Sequence, residues 1–364
     1  MAETILKEEE RVVFALRSLY KQYGYLPYKM NKFESYDLYA SNKDFLVGDG
    51  VITFNDTDGK LLALKPDVTL SIIKNTVDDG CKQKVYYNEN VYRISGETKQ
   101  FKEIMQAGLE CIGEVDAYDV FETIQLAAGS LCAISENFVL DISHLGILSA
   151  VLNDCDAGDK FNREIMRRIG EKNLHETQAL CEAYGVSKEN TEKLLTVIRS
   201  YGDMETVLET LAPICKDGDG KTAFEELQTL SALLKDTRYA DRIKVDFSVV
   251  NDMKYYNGIV LKGFVDGIPE GLLSGGQYYK LMRRMGKKSR AIGFAVYLDL
   301  LDGFQSRKSA FDVDVLVLYD EKTPIETLVQ NTKKLIDGGK TVSVQKAKGK
   351  LRFAELLDLT GGVQ

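Results

Sequence analysis

Apolar residues recur along this chain with two different periods, one typical of α-helices and the other of β-strands. The helical period predicts an amphipathic helix over residues 4–24, with Gly24 as the residue that follows its last turn. Two short apolar runs, 51–54 and 61–65, flank the turn-rich sequence NDTDG and predict a β-hairpin. Pro66 is then expected to begin a short helix, because proline favours the first helical position.

Longer apolar segments further along the chain predict more strands around a helix at 116–134. The segments interpreted as strands are 84–93, 103–112, 244–250, 255–264 and the first part of 291–301. Strands and helices alternate only loosely, which favours a mostly antiparallel sheet with helices packed on one face over a doubly wound parallel sheet. The fold class that we expect is therefore α+β.

The periodicity changes between residues 155 and 240, where four helical segments follow one another and are separated by glycine or polar turns. We interpret 155–240 as a helical insertion between two parts of one core, 1–154 and 241–307. The last segment, 308–364, predicts a strand, a helix and a further strand. It is therefore expected to form a short C-terminal βαβ unit.

Composition and charge narrow the classes of function. No apolar run approaches the roughly twenty residues that span a bilayer, and the charged start MAETILKEEE is unlike a secretory signal, so we expect a cytoplasmic protein without membrane contact. The six cysteines form no CxxC pair and only two histidines are present, which predicts no disulfide framework, no metal site and no cofactor. A net charge of −8 argues against nucleic-acid binding as the main role.

Asp67 and Thr69 follow the predicted hairpin and are the first candidates for a binding site. A carboxylate and a hydroxyl at the mouth of a sheet can hold the ammonium group of an amino acid, with charge from Asp67 and geometry from Thr69. The alternative is that both residues only occupy the first turn of a helix, near the positive end of its dipole.

Gln106 and Glu110 are the second pair of candidates, within a strand that is otherwise largely apolar. Positions 106, 108 and 110 of a strand point to the same face, so the two polar side chains can flank a ligand while Gly108 leaves room between them. Burial of such side chains costs free energy unless they are paired, which favours a ligand site. The alternative is an exposed strand face.

Four segments of the chain, taken in order, resemble segments of the histidyl-tRNA synthetases, which are class II aminoacyl-tRNA synthetases. They are 62–75, 84–122, 249–264 and 272–301. The resemblance implies a class II synthetase-like antiparallel core. It extends over nearly the whole chain, because the helical insertion and the C-terminal unit, which is similar to part of an anticodon-binding domain, stand where the family has them.

The resemblance also implies roles for individual positions. It places the following residues in a histidine pocket: Asp67, Thr69, Gln106, Glu110, Tyr255, Tyr256 and Tyr278. In the family, the residues that match Gln106 and Glu110 contact the ammonium and the imidazole of histidine, and the ring that matches Tyr278 lines the imidazole pocket. Arg93 matches an arginine that grips the α-phosphate of ATP, which makes it a candidate for anion binding. The alternative for the tyrosines is a place in the hydrophobic core.

Departures from the family pattern fall on the positions that handle the nucleotide. The arginine that ends the third class II motif is replaced by Leu300, while Tyr297 and Asp299 replace its glycine and glutamate. The arginine of the histidine-recognition signature falls at Asn251, and the proline of the first motif falls at Asn31. Adenylation needs preplaced cations around the triphosphate, and each lost group costs about a hundredfold or more. We therefore expect no aminoacylation and no catalytic residues.

The chain departs from the family at the nucleotide site but keeps the amino-acid pocket. In this respect it resembles the synthetase-like regulatory subunits of ATP phosphoribosyltransferase. This resemblance implies a homodimer within a hetero-oligomer, with the short catalytic subunit of that enzyme as partner and histidine as effector. The chain would then be needed for activity and for feedback inhibition in the first step of histidine biosynthesis. Two alternatives stay open: a ligase that obtains its guanidinium groups elsewhere, and a non-catalytic sensor of tRNA or histidine. A tRNA partner would require a basic surface that the sequence does not show.

Overall fold

The computed structural model describes residues 8–46, 50–94, 99–250, 255–301 and 311–361. The chain divides into a larger unit, residues 9–304, and a smaller unit that contains residues 305–364. The predicted domain boundaries at 154, 240 and 307 stay predictions, and the last of them lies outside the described residues.

The helices of the described residues are α1 Glu8–Gln22, α2 Tyr36–Ala40, α3 Thr69–Asn75, α4 Ala117–Ile134, α5 Leu145–Cys155, α6 Gly158–Gly170, α7 Leu174–Ala183, α8 Lys188–Arg199, α9 Met204–Leu211, α10 Gly218–Leu234, α11 Tyr279–Arg284 and α12 Ile325–Asp337. Short 3-10 helices are present at Lys43–Phe45, Ala240–Arg242 and Leu298–Leu301.

The strands of the described residues are β1 Leu26–Pro27, β2 Phe33–Ser35, β3 Thr53–Asn55, β4 Leu61–Leu64, β5 Gln83–Ile94, β6 Phe101–Gly113, β7 Phe138–His144, β8 Tyr201–Gly202, β9 Ile243–Asp246, β10 Ile259–Val265, β11 Leu273–Gln277, β12 Arg290–Tyr297, β13 Val313–Leu318, β14 Val342–Gln345 and β15 Phe353–Asp358.

A nine-stranded sheet organises the larger unit, in the order β1-β5-β6-β12-β11-β10-β7-β9-β8. Only β1 with β5 and β7 with β9 pair in parallel, and the other neighbours in this sheet are antiparallel. A small antiparallel sheet, β2-β4-β3, contains the predicted hairpin. The prediction of an α+β fold with a mostly antiparallel sheet is confirmed.

The two faces of the large sheet pack against different sets of helices. The main core joins one face, which includes Leu109 and Phe294, to the long helices α1, α4 and α5 and to the insertion helices. A second core joins Tyr87 and Ile112 on the other face to the short helices α2, α3 and α11. Helices therefore cover both faces of the large sheet, and the prediction of helices on one face was wrong in part. The short helices that border the predicted site form the second layer.

The helical insertion contains one helix more than the sequence indicated. The helix α9 follows the two-residue strand β8, which pairs with β9 and so joins the insertion to the edge of the large sheet. Phe161 of α6 and Val207 of α9 are buried in the main core. The insertion therefore shares the hydrophobic core of the sheet.

Two element boundaries near the predicted site differ from the sequence-based expectation. The short helix begins at Thr69 and not at Pro66, because the Pro66 carbonyl accepts a hydrogen bond from the Arg93 side chain and the Asp67 carboxylate accepts one from the Leu70 N–H. The strand expected from residue 255 begins at Ile259, so both tyrosines of the third segment lie on the approach to the strand.

The smaller unit has a three-stranded parallel sheet, β14-β13-β15, with the helix α12. Its core contains Val315, Val317, Leu328 and Leu359. The predicted strand, helix and strand are present, and the residues that follow them supply β15 as a third strand.

Candidate functional site

One cavity of about 380 Å³ brings together all eight residues that the sequence singled out for binding. These residues are Asp67, Thr69, Arg93, Gln106, Glu110, Tyr255, Tyr256 and Tyr278. The cavity lies on the face of the large sheet that α3 and α11 border, since Tyr87 of that face is also part of its lining. Binding of a ligand by these residues stays a prediction.

Glu110 is a buried carboxyl group at the centre of one wall, with 2% of its surface exposed. The Thr69 hydroxyl donates a hydrogen bond to its Oε1 over 2.7 Å, and the Tyr278 hydroxyl donates one to its Oε2 over 2.5 Å. Burial raises the pKa of Glu110 to about 8, and the negative charge of Asp67 adds to this effect against the two hydrogen bonds. The protonated form of this carboxyl group is therefore favoured far more than in an exposed glutamate.

A glycine on the neighbouring strand makes room for this carboxyl group. Gly293 of β12 stands directly opposite Glu110 of β6, and a Cβ atom at Gly293 would lie 1.8 Å from Glu110 Oε2. The sequence predicted that Gly108 leaves room for a ligand, but the side chain of Tyr87 fills this space. A Cβ atom at Gly108 would lie 2.5 Å from the Tyr87 hydroxyl, so this tyrosine takes the place between Gln106 and Glu110.

Three tyrosine rings form an aromatic wall of the cavity. The ring centroid of Tyr255 lies 4.7 Å from that of Tyr256 and 5.8 Å from that of Tyr278. The Tyr255 hydroxyl lies near Thr69, and the Tyr256 hydroxyl lies near Ser274. Burial raises the pKa of each of these tyrosines well above its ordinary value, so the hydroxyls stay protonated. The tyrosines are thus core residues and cavity-lining residues at the same time.

Asp67, Arg93 and Gln106 supply the other polar groups of the lining. Asp67 is 8% exposed, and its Oδ1 accepts the Leu70 N–H over 2.8 Å, so it supports the first turn of α3 and lines the cavity as well. Burial raises the pKa of Asp67, while the Leu70 N–H and the positive charge of Arg93 oppose the rise. Arg93 Nε donates to the Pro66 carbonyl over 2.9 Å. The alternative in which Asp67 supports a helix start thus describes an observed contact, and the binding of an ammonium group by Asp67 stays a prediction.

Several lining residues were missed by sequence reasoning, above all Tyr87, Ser274 and Tyr297. Tyr297 replaces a glycine of the family. In the structure it stands opposite Gln106 in the register of β12 with β6, and its hydroxyl lies near Arg93. The register between these strands was the missing information, because it decides which side chains meet on one face.

Two other positions that depart from the family pattern lie apart from the cavity lining. Leu300 belongs to the 3-10 helix after β12 and packs against the main core. Asn31 is exposed between β1 and β2. Asn251 lies outside the described residues.

The described part of the chain contains no cluster of three or more histidine, cysteine, aspartate or glutamate side chains arranged to hold a metal ion. Within the same residues, no helix combines the length and the apolar character that crossing a membrane requires.

Comparisons with known proteins identify the family. A family model described as histidyl-tRNA synthetase matches residues 2–301. An ATP phosphoribosyltransferase regulatory subunit of Alkaliphilus metalliredigens is 30% identical over 285 residues, which cover 76% of this chain and 71% of that protein. The chain belongs to the histidyl-tRNA synthetase family, among its ATP phosphoribosyltransferase regulatory subunits. The regulatory subunit of Oceanobacillus iheyensis is 28% identical over 303 residues, which cover 82% of this chain and 74% of that protein.

Solved structures show the same fold. A Bacillus halodurans protein described as an ATP phosphoribosyltransferase regulatory subunit/histidyl-tRNA synthetase superposes with a TM-score of 0.80 at 22% identity, covering 97% of this chain and 94% of that chain. A chain of the ATP phosphoribosyl transferase (HisG:HisZ) complex from Thermotoga maritima superposes with a TM-score of 0.63 at 18% identity, covering 80% of this chain and 97% of that chain. The predicted class II synthetase-like core is confirmed.

Proposed function

We propose that this chain is the non-catalytic partner of a short ATP phosphoribosyltransferase catalytic subunit, which it activates and makes sensitive to histidine. Its relatives carry the name of regulatory subunits of that enzyme, and a structural neighbour comes from a complex of the transferase. The proposal for this chain rests on the cavity. Its lining keeps the acidic group and the aromatic rings that suit an amino acid. Of the groups that suit a nucleotide, the described lining residues keep one arginine.

The cavity suits histidine in the following way. Asp67 offers a carboxylate to the α-ammonium group, and Glu110 offers an acceptor to an imidazole N–H between the rings of Tyr255 and Tyr278. Thr69 and Tyr278 hold the Glu110 carboxyl group in place through both of its oxygens. Because these groups are already ordered by contacts within the protein, little side-chain entropy is lost on binding. Histidine is thus the effector that we assign to this cavity.

The synthetase reaction is not part of the proposed function. Adenylate formation moves negative charge onto pyrophosphate, and cations must stabilise it in the transition state. Arg93 is the one cationic side chain of the described lining, and Tyr297 adds a bulky ring beside it. Leu300 packs in the main core and brings no charge to the cavity.

Pyrophosphate exchange separates this proposal from the ligase alternative. The purified chain, supplied with ATP, magnesium and histidine, should give no histidine-dependent exchange of labelled pyrophosphate into ATP. An active histidyl-tRNA synthetase in the same buffer is the positive control. Exchange above the level without histidine would show that the chain activates the amino acid and would contradict the proposal.

A further inference from the structure

A second cavity, of about 420 Å³, lies in the larger unit and is lined by residues of α4, α10, β10, β11 and β12. Among the described residues, it shares no part of its lining with the first cavity, the candidate site on the other face of the sheet. Gln277 and Tyr279 line the second cavity, whereas Tyr278 between them lines the first. Its volume is in the range of small-molecule sites.

The floor of the second cavity is apolar. Four of its lining residues are between 2% and 8% exposed and belong to the main core, namely Val115, Val120, Leu230 and Ile259. A ligand group that rests on them leaves water together with the apolar surface beneath it, which is favourable in proportion to the area buried. The floor therefore suits an apolar side chain.

Glu226 is a carboxylate that a buried histidine holds in place at the side of this cavity. The Nδ1 atom of His144 accepts the Gly146 N–H over 3.1 Å, so the ring hydrogen lies on Nε2 and is donated to Glu226 Oε2 over 3.0 Å. This hydrogen bond is the main cause that lowers the pKa of Glu226, and burial opposes it. The group is therefore ionised at neutral pH.

The two other acids of the lining already face lysines. Asp116 lies 3.6 Å from the Lys82 ammonium group, and Glu225 lies 3.8 Å from that of Lys221. Asp116 also accepts backbone N–H groups at the start of α4. Glu226 is thus the acid of this lining that is best placed to meet a further cation.

Arg290 supplies the positive charge of the described lining. Its guanidinium carbon lies 5.4 Å from the centre of the Tyr279 ring. The Gln277 Nε2 donates to the Tyr279 hydroxyl over 2.5 Å, and the Gln277 Oε1 accepts the Ile259 N–H over 2.6 Å. The ring beneath Arg290 is therefore fixed to β10. A guanidinium group that stacks on a ring keeps the N–H groups at its edge available for a carboxylate.

Arg290 and Glu226 lie close enough for their charges to act on the same groups. Both charges influence the pKa of Tyr279, which burial raises to about 12, and Arg290 also lowers the pKa of Glu226. Within the described part of the chain, no salt bridge joins the two side chains. The pair is therefore open to a ligand that carries both charges.

We propose that the second cavity binds a free α-amino acid with an apolar side chain. Its ammonium group pairs with Glu226, its carboxylate pairs with Arg290, and its side chain rests on the apolar floor. An α-amino acid fits this arrangement because both of its charged groups stand on one carbon atom, next to the side chain. The site is separate from the proposed histidine site and does not depend on it.

Calorimetric titration of the full chain with leucine and with phenylalanine tests the proposal. Both should bind saturably. Glycine, which lacks an apolar side chain, and isoamylamine, which is leucine without its carboxylate, should each bind at least about tenfold more weakly than leucine.

Charge-neutral variants test the two polar contacts. Arg290→Gln should lower the affinity for leucine about tenfold and leave that for isoamylamine nearly unchanged. Glu226→Gln, which can still accept the hydrogen bond from His144, should lower the affinity for leucine by a similar factor. Arg283→Gln is the matched control, because Arg283 is an exposed arginine of α11 outside the cavity lining, and it should bind leucine as the wild type does.

A bulky residue at the mouth of the cavity tests the location. Thr229 lines the cavity from α10, is exposed and donates to the Glu225 carbonyl of its own helix over 2.9 Å, so Thr229→Trp should fill the cavity and abolish leucine binding. Thr210→Trp is its control, because Thr210 is exposed on α9 and donates in the same way to the Thr206 carbonyl. This control should bind leucine normally.

Absence of saturable binding of both leucine and phenylalanine to the wild-type chain would overturn the proposal. Leucine binding that survives Thr229→Trp but is lost in Glu110→Gln would also overturn it, because the amino acid would then occupy the first cavity. Affinities for leucine that are unchanged in both Arg290→Gln and Glu226→Gln would contradict it even if Thr229→Trp does not fold. The proposal expects Glu110→Gln to bind leucine as the wild type does.

Discussion

Glu110 is a single buried residue whose contacts indicate the chemistry of the site. A carboxyl group that is 2% exposed, with a pKa raised to about 8 by burial, would be a poor choice for stability alone. Its position is nevertheless defined by hydrogen bonds from Thr69 and Tyr278 and by the absence of a side chain at Gly293. Such a group is suited to accept a hydrogen bond from a ligand that replaces water.

Replacement of Glu110 should weaken histidine binding. Glu110→Ala leaves an imidazole N–H without a partner in a partly desolvated site, which costs about 1–3 kcal/mol, or roughly ten- to a hundredfold in affinity. Calorimetry with the purified chain measures this directly. Glu103→Gln is the matched control, because Glu103 lies on the same strand but is exposed. Equal affinities for the wild type and Glu110→Ala would contradict the assignment.

Histidine binding should also release protons near pH 7. Burial raises the pKa of Glu110 to about 8, which favours its protonated form at pH 7, whereas a ligand N–H or a cation beside it favours the ionised form. The heat of binding, measured in buffers with different ionisation enthalpies, should therefore show net release, and Glu110→Gln should abolish it. Net proton uptake on binding would contradict this account.

The raised pKa of Glu110 also makes the stability of the fold depend on pH. The free energy of unfolding should fall as the pH rises from about 4.5 to about 8, since the folded state holds a proton on Glu110 in this range that the unfolded chain has lost.

At the level of residues, those lining residues could be predicted whose polar groups stand close together in one segment. Gln106 and Glu110 are two polar positions on one face of an apolar strand, and Asp67 and Thr69 share a short segment with a helix start. Tyr87 and Tyr297 enter the cavity from two other strands, β5 and β12, and only the pairing of these strands with β6 brings them there. Strand register over long sequence separations is not readable from a single sequence, so these residues could not be assigned.

At the level of elements, an ion pair ties the small sheet to the large one beside the site. Lys65, which follows β4, donates to Glu89 of β5 over 2.5 Å, and the two side chains are 1% and 17% exposed. The Tyr92 N–H also donates to the Lys65 carbonyl over 2.9 Å. The segment that carries Asp67 and Thr69 is therefore fixed to β5 immediately before it enters α3.

Loss of this buried pair should destabilise the fold strongly. Lys65→Ala leaves the Glu89 carboxylate without its cation in a mostly buried place, for which we expect a loss of about 3–5 kcal/mol in the free energy of unfolding. Denaturant titration gives this value. Lys60→Ala, which breaks the exposed pair of Lys60 with Asp58, is the control and should change stability little. Similar losses in both variants would show that the loss in the free energy of unfolding does not depend on the burial of Lys65.

The elements themselves were predictable where periodicity was long and the boundaries carried clear signals. Helix α4 agrees with its sequence interpretation because Asp116 and Asp119 form a capping box at its start. The short helix α3 was placed three residues too early, because the contacts that delay its start come from Arg93 and from the Asp67 side chain. The helix α9 was missed because its eight residues follow the previous helix closely.

For the whole molecule, the resemblance to the family predicts a homodimer that pairs through the first class II motif, around residues 26–40 of this chain. Leu26 and Phe33 of this segment are 67% and 48% exposed, as expected for apolar residues that a second copy would cover. Sedimentation velocity at micromolar concentration should give the mass of a dimer, and Phe33→Glu should raise the fraction of monomer. Tyr118→Glu, at an exposed aromatic position on α4, is the control and should leave the dimer intact. A monomeric wild-type chain would contradict the prediction.

In the whole assembly, we propose that this chain activates a short ATP phosphoribosyltransferase and senses histidine for it. Steady-state turnover of the catalytic subunit, measured with and without this chain over a range of histidine concentrations, reports both effects. We expect higher turnover on mixing, inhibition by histidine, and a half-inhibitory concentration that rises roughly ten- to a hundredfold with Glu110→Ala but not with Glu103→Gln. Unchanged turnover on mixing would contradict the regulatory role, and unchanged half-inhibition in Glu110→Ala and Glu110→Gln would show that histidine acts elsewhere, for example at the interface with the catalytic subunit.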